Sequence, residues 1–268
     1  MDLLPSIDNL IDRGALFVIN HSAGKDSQAM TAVLRRLVPA SQLLAVHADL
    51  GEVEWSGNVA HIRATIGNFP LEICRNENKT FLEMVERRGM WPSPQHRQCT
   101  SDLKRGPIER TIRRYLEAHP EFGGLVVNCV GIRADESPAR SRKVPFRFSE
   151  ANSKAGREWY EWLPIFDMSK EDVFRTIAEA GQTPHWAYAA GMTRLSCVFC
   201  IMASTGDLRT AARLNPELYG RYVALEKRIN HTMSMDGQSL EDRTGIRVGA
   251  YSEVSYPAQE RHDAEALA

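Results

Sequence analysis

Six consecutive residues, Ser22-Ala23-Gly24-Lys25-Asp26-Ser27, carry a pattern suited to holding phosphate. They stand between an apolar run at 15–20 and a helical pattern that starts at about Gln28. A strand that runs into a small-residue loop and opens a helix is an anion cradle. The first helical N–H groups lack internal partners, and the helix dipole adds partial positive charge. Gly24 lets a ligand approach the backbone, and Lys25 can neutralise a phosphate. The spacing is not that of a Walker loop. A serine-capped helix after a buried strand would show the same local pattern, so other residues must decide its meaning.

Two further groups bear chemistry. Cys197-Val198-Phe199-Cys200 sets two thiols where both can bind one metal centre from a tight turn. A redox pair would share the spacing but open a helix directly after a strand. Here the pair follows Gly191-Met192-Thr193-Arg194-Leu195-Ser196. Cys99, in the polar segment His96-Arg97-Gln98-Cys99-Thr100, is the expected third ligand. Zn²⁺ would need a fourth, such as His96 or His185, whereas a [4Fe–4S] cluster on three thiolates would keep one iron open. Cys74 and Cys129 fall inside expected strands, where packing is their expected role. The last group is Gly131-Ile132-Arg133-Ala134-Asp135-Glu136-Ser137-Pro138-Ala139-Arg140. Arg133 and Arg140 suit bidentate recognition of phosphate or sulfate, and Glu136 can orient an arginine or bind a ribose hydroxyl. A solvated charged loop is the alternative.

Strands and helices must bring these groups together. Apolar runs at 15–20, 43–48, 71–74, 125–130 and 162–166 read as five strands. Between them, Met30, Val33, Leu34 and Leu37 mark one helix, Trp55, Val59, Ile62 and Ile66 a second, and Ile108, Ile112, Tyr115 and Leu116 another. Thr80 is expected to cap a helix ending at Gly89, Ser169 one ending at Gly181, and Asn215-Pro216 to open one more. Continuous apolar strands alternating with helices predict an α/β fold. The expectation is a Rossmann-like, doubly wound, mainly parallel five-stranded sheet with helices on both faces and a helical C-terminal portion. Ligands of such sheets bind beyond the carboxyl ends of the strands, where loop 22–27, Asp49 and the 131–140 loop converge. Residues 1–200 read as the nucleotide-binding domain with the cysteine site. Residues 201–268 read as a helical extension, with 259–268 a frayed tail. The stretch 132–158 shows no apolar periodicity.

Composition excludes some classes. An apolar fraction of 43% and a charged fraction of 25% are those of an ordinary globular protein, and the formal net charge of −1 makes any nucleic-acid surface local. Residues 1–5 lack the basic segment and apolar core of a secretory leader, and no apolar run reaches bilayer-spanning length. The expectation is a cytoplasmic protein, free of membrane, whose five cysteines stay reduced. Such a local surface is available at Arg140, Arg142, Lys143, Arg147, Lys154 and Arg157, with Phe146, Phe148, Trp159 and Tyr160 able to stack or pack.

The order of motifs is more specific than any one of them. Loop 22–27 resembles the Ser-Gly-Gly-x-Asp-Ser pyrophosphate loop, with Ala23 where that loop has glycine. Asp49-Leu50-Gly51-Glu52, Arg97-Gln98-Cys99-Thr100-Ser101-Asp102-Leu103-Lys104, the Gly-x-Arg-x-x-Glu-Ser-x-x-Arg loop and Arg194-x-x-Cys-x-x-Cys follow in turn. This order, over about 15–200, resembles the phosphoadenylylsulfate (PAPS) reductase family, of adenine-nucleotide α-hydrolase type. The resemblance implies nucleotide binding by Ser22, Gly24, Lys25, Asp26 and Ser27, with Asp49 near the adenosine. It implies roles at the phosphate or sulfate end for Arg133, Glu136 and Arg140, and a cluster on Cys99, Cys197 and Cys200. Assimilatory reductases of the family use a nucleophilic cysteine near the C-terminus, and this chain has no cysteine after Cys200. Cluster-bearing reductases have adjacent cysteines where this chain has Gln98-Cys99. The pattern therefore lies nearer the ATP pyrophosphatases of DNA phosphorothioation. That branch implies ATP with Mg²⁺, a cysteine desulfurase as sulfur donor, DNA as substrate and a possible homodimer.

Overall fold

The computed structural model describes residues 4–249. The strands are β1 (Leu16–Asn20), β2 (Leu43–Ala48), β3 (Leu71–Cys74), β4 (Leu125–Val130), β5 (Phe146–Phe148) and β6 (Glu158–Trp162). They form one sheet in the order β3-β2-β1-β4-β6-β5. All neighbours pair in parallel except β5, which runs antiparallel to β6. The chain leaves β1 towards β2 and β3, then returns to lay β4 on the other side of β1. Strand order therefore reverses between β1 and β4, and the crevice at their carboxyl ends is the natural ligand site of such a sheet.

Alternation along the strands sorts two cores. Phe17, Ile19, Ala45, Val127 and Cys129 point to one face, under Met30 and Leu34 of the helix Lys25–Leu37, Ile62 of Asn58–Ile66 and Val173 of Lys170–Glu179. Leu16, Val18, Leu44, Val46 and Val126 point to the other, under Ile112 and Leu116 of the helix Gly106–Ala118. A third core lies off the sheet. It joins Leu50, Val53, Trp55, Phe81 and Trp91 to Phe199, Leu208, Tyr219, Tyr222 and Leu240, so the C-terminal helices pack on the loops at 50–55 and on the helix Phe81–Arg88.

Local signals act where the residue types say they should. Thr80 forms a capping box with Glu83, and Gly89 closes that helix at φ 67. The doubly wound α/β class is as expected, but three details differ. The sheet has six strands, because Phe146-Arg147-Phe148 adds a short antiparallel edge to β6. The last parallel strand is Glu158–Trp162 and not 162–166. Pro164 has no N–H for a ladder, and Glu158 and Glu161 on an edge-side strand disguised β6 as a polar stretch. The phosphate-loop helix opens at Lys25, ahead of the expected Gln28. The stretch 132–158 also holds a 3₁₀ turn, Ala134–Glu136, and a short helix, Pro138–Ser141. The expected tail at 259–268 lies outside the described residues.

Candidate active site

Loop 22–27 closes on itself through Ser27. The Ser27 Oγ accepts the Ser22 N–H at 3.1 Å and donates to the Gly24 carbonyl at 2.9 Å. Ala23 stands at φ 61, a left-handed conformation that costs a residue with a Cβ about 1–2 kcal/mol. Buried His21 supports it, its Nδ1 accepting the Ala23 N–H at 3.1 Å. Gly24 has φ −80, and a Cβ there would meet nothing nearer than 3.5 Å. Neither backbone conformation nor packing demands glycine at 24. What the missing side chain leaves is room for a ligand against the backbone.

An ion network fixes the mouth of this loop. Asp26 accepts from Lys25 Nζ at 2.8 Å through one oxygen and from Arg133 Nε at 2.7 Å through the other. Arg133 Nη1 also pairs with Asp135 and reaches the Met168 carbonyl at 3.3 Å. The Arg133 side chain is only 5% exposed, so its guanidinium acts as a clamp on Asp26. Glu136 accepts the Arg133 N–H at 3.1 Å and pairs with Arg140. Gly131 brings the two loops into contact: a Cβ there would lie 3.1 Å from the Asp26 carbonyl carbon and oxygen. Lys25, Asp26, Ser27, Arg133, Glu136 and Arg140 thus share one rim. Asp49 stands at the end of the next strand, its Oδ1 accepting the Gly51 N–H at 2.7 Å and its Oδ2 3.9 Å from Arg75.

Cys99, Cys197 and Cys200 gather on the third core. Their common neighbour is Lys104. Cys197 foremost, with Glu54, Cys200 and Cys99, holds its ammonium above the usual range against burial. Burial pushes the Cys197 thiol up to about 12 and raises Cys99, while Lys104 pulls both down. Binding of a metal by Cys197 or Cys99 must displace the thiol proton that burial favours. Among the described residues, no group of three or more His, Cys, Asp or Glu side chains could hold a metal ion. The thiols are assembled without a ligand geometry. Neither expected fourth zinc ligand completes it: His96 is exposed, and His185 Nδ1 accepts the Ala187 N–H at 3.2 Å while its ring meets His61.

Residues 17–203 match the phosphoadenosine phosphosulfate reductase domain. The chain belongs to this family. Its matched span takes in loop 22–27, the 131–140 loop and all three gathered cysteines. Among relatives, an uncharacterized 37.8 kDa protein of Escherichia phage 186 is 30% identical over 59% of this chain and 45% of its own length. An uncharacterized protein of Methanocaldococcus jannaschii is 23% identical over 78% of this chain and 47% of its own. The chain spans about half the length of the curated relatives it matches. Of solved structures, a PAPS reductase from Candida auris aligns at 11% identity and TM-score 0.46, covering 74% of this chain and 98% of that one. Candida glabrata FMN adenylyltransferase with FMN and an ATP analogue aligns at 13% identity and TM-score 0.43, covering 69% and 54%.

Several residues of this PAPS reductase family domain escaped the sequence reading. Tyr188 reaches the phosphate loop, its hydroxyl accepting the Lys25 N–H at 3.0 Å. Lys104 was visible only as the end of a polar run, and its place among three thiols depends on the fold. His47 has acceptors at both nitrogens, the His21 carbonyl at 2.9 Å and Glu54 at 3.0 Å. Burial opposes its charge, yet Glu54 raises its pKa overall. The expected stacking surface is thinner than the sequence implied. Trp159 is fully buried, Phe146 stacks on Tyr160 at 5.4 Å, Arg147 pairs with Glu161, and Phe148 is left 40% exposed. No helix of the described residues is long and apolar enough to cross a membrane.

Proposed function

We propose that this domain is an ATP pyrophosphatase. ATP, carrying Mg²⁺, is held by loop 22–27 with its adenosine towards Asp49. A substrate oxygen attacks the α-phosphorus, the bond from that phosphorus to the β-bridging oxygen breaks, and pyrophosphate leaves with the electron pair. Lys25 and the N–H groups opening the helix Lys25–Leu37 offset the charge that develops on the leaving pyrophosphate. Arg133 keeps Asp26, and through it Lys25, in position. The observation that carries this reading is the ion network Lys25–Asp26–Arg133 at the point where strand order reverses.

The adenylylated oxygen is then a leaving group for sulfur. DNA phosphorothioation is the proposed setting, with a backbone phosphate oxygen as nucleophile, a cysteine desulfurase as sulfur donor, the protein in the cytoplasm and a homodimer as a possible working form. A [4Fe–4S] cluster on Cys99, Cys197 and Cys200 belongs to this proposal, with Zn²⁺ as the alternative; what supports a metal centre is the gathering of the three thiols on one core beside Lys104. Such a cluster would supply an open iron able to hold sulfur.

The test is pyrophosphate release from ATP by anaerobically purified protein. Lys25→Ala and Asp26→Ala are each expected to abolish it, and undiminished turnover in both overturns the reading. Iron content and colour, compared with Cys197→Ser, decide the cluster separately. Sulfite release from PAPS with thioredoxin present would instead establish the reductase activity in the family's name.

A further inference from the structure

Tyr188 lies in the short helix Trp186–Ala189, far along the chain from loop 22–27, yet its hydroxyl sits on that loop. It takes the N–H of Lys25, the first residue of the helix Lys25–Leu37, at 3.0 Å. A Cβ added at Gly24 would lie 3.5 Å from the same oxygen, and the ring centroid is 6.0 Å from Lys25 Nζ. Phe174 meets the ring edge-on at 6.0 Å and fixes it from behind.

A hydroxyl has two lone pairs and one proton. Backbone N–H groups of Lys25 and Leu195 engage the Tyr188 oxygen, and no hydrogen bond given by its proton is found among the described residues. Burial pushes the phenol up to about 12, so the proton is present throughout the physiological range. Ser27 serves Ser22 and Gly24, and Lys25 Nζ gives one of its protons to Asp26 and keeps others for a phosphate. This donor lies half-buried against the one residue of the loop that lacks a side chain.

We propose that Tyr188 is a phosphate-binding residue, donating its hydroxyl proton to a phosphate oxygen of the nucleotide on loop 22–27. This rests on the reading that the loop binds a nucleotide's phosphates. Tyr188 belongs to the same segment as Cys197 and Cys200, and Leu195 also adjoins Gly24, 3.5 Å from a Cβ placed there. The wall that touches the nucleotide is thus the strap that carries two of the thiols.

The test measures the affinity of wild type and Tyr188→Phe for inorganic pyrophosphate, ATP and adenosine. Thermal unfolding confirms that the variant, which keeps the ring and its packing on Phe174, is folded. Loss of one hydrogen bond to a charged phosphate is expected to weaken pyrophosphate and ATP about tenfold or more and leave adenosine unchanged. Equal pyrophosphate affinity in the two proteins overturns the proposal. Tighter binding by Tyr188→Phe also overturns it, because the hydroxyl would then be a competitor for the Lys25 N–H. An equal loss for all three ligands would mark a structural role and refute it as well. A wild type that binds neither pyrophosphate nor ATP removes the nucleotide reading itself, and this proposal with it.

Discussion

Gly24→Ala and Gly131→Ala should have opposite consequences, although both add one methyl group to the same crevice. At Gly131 the new Cβ would lie 3.1 Å from the Asp26 carbonyl carbon and oxygen and 3.2 Å from the Ser27 nitrogen, short of the 3.4 Å at which ordinary contact begins. All three atoms are backbone at the start of a helix, so none can swing aside. Overpacking of this kind costs about 1–3 kcal/mol. Restricting the unfolded chain by replacing glycine returns only about 0.4–1 kcal/mol. The balance is destabilising by roughly 1–2 kcal/mol, or a melting temperature lower by roughly 2–8 °C. The alternative to strain is a shift of loop 22–27 by a few tenths of an ångström, enough to spoil N–H to phosphate distances that must stay within about 2.7–3.2 Å. At Gly24, by contrast, the backbone is in an ordinary extended conformation, and the nearest atoms to a Cβ lie at 3.5 Å. Gly24→Ala should therefore unfold at or slightly above the wild-type temperature while losing at least about tenfold in pyrophosphate affinity, the ligand meeting a methyl where it met backbone. The assay is thermal unfolding without ligand, followed by pyrophosphate titration of the same samples. A Gly131→Ala protein as stable as wild type would refute the packing argument. A Gly24→Ala protein that binds pyrophosphate normally would refute the close-approach argument.

Two other perturbations follow from the charge arrangement. Asp26→Asn removes the carboxylate shared by Lys25 and Arg133, leaving two nearly buried cations with one fewer partner. A loss of roughly 2–3 kcal/mol is expected, read as a melting temperature lower by roughly 5–10 °C, and an unchanged melting curve would show the network to be ornamental. Stability should also vary with pH through the His47–Glu54 pair. His47 has a raised pKa, so its contribution is full below 6.5, the unfolded value, and fades as pH rises through the folded one. Burial opposes ionisation of Glu54, but His47, Asn58 and Lys104 lower its pKa overall, so its contribution is present above 4.5 and lost as pH falls below that. Burial also depresses His21 to about 3 and His185 to about 4, so both lose stability as pH falls from 6.5 towards those values. Each histidine adds on the order of 1 kcal/mol per pH unit over that range. His47→Gln should flatten the alkaline limb of a melting-temperature profile and weaken the Glu54 part of the acid limb below 4.5, while the His21 and His185 part between 6.5 and about 4 stays; an unchanged alkaline limb would contradict the assignment.

What could be read from the sequence was whatever repeats at short range. Buried parallel strands are near-continuous apolar runs, so β1, β2 and β4 were visible, and the half-exposed β3 only as a short run of strand formers; the loop after β1 took its meaning from the order of the motifs that follow it. The edge was hidden for the same reason inverted. Glu158-Trp159-Tyr160-Glu161-Trp162 mixes charge with aromatics because only part of it is covered, and three-residue β5 is too short to show any period. The candidate site was legible as a set of residues but not as a set of partners. Nothing in the 131–140 loop says that Arg133 is spent on Asp26, across 107 positions, or that Tyr188 meets Lys25 across 163. Lys104 among the cysteines is the same case, since the motif shows its type and only the fold shows its company.

Long-range partners also join the two halves of the site. Segment 185–200 is pinned at both ends to the loop that follows Asp49: Trp186 Nε1 donates to the Ser56 carbonyl at 3.0 Å, and the Val198 N–H donates to the Val53 carbonyl at 2.9 Å. Between these pins Tyr188 and Leu195 rest on Gly24. Glu54, inside the pinned loop, is held by His47 and Asn58 and feels Lys104, which in turn answers to the three thiols. Lys104 therefore stands between Glu54 and the thiols, and the segment that carries Cys197 and Cys200 also adjoins loop 22–27. On the proposed reading the nucleotide and the thiols would share one wall, and that shared wall is the physical reason to expect both to act on one substrate.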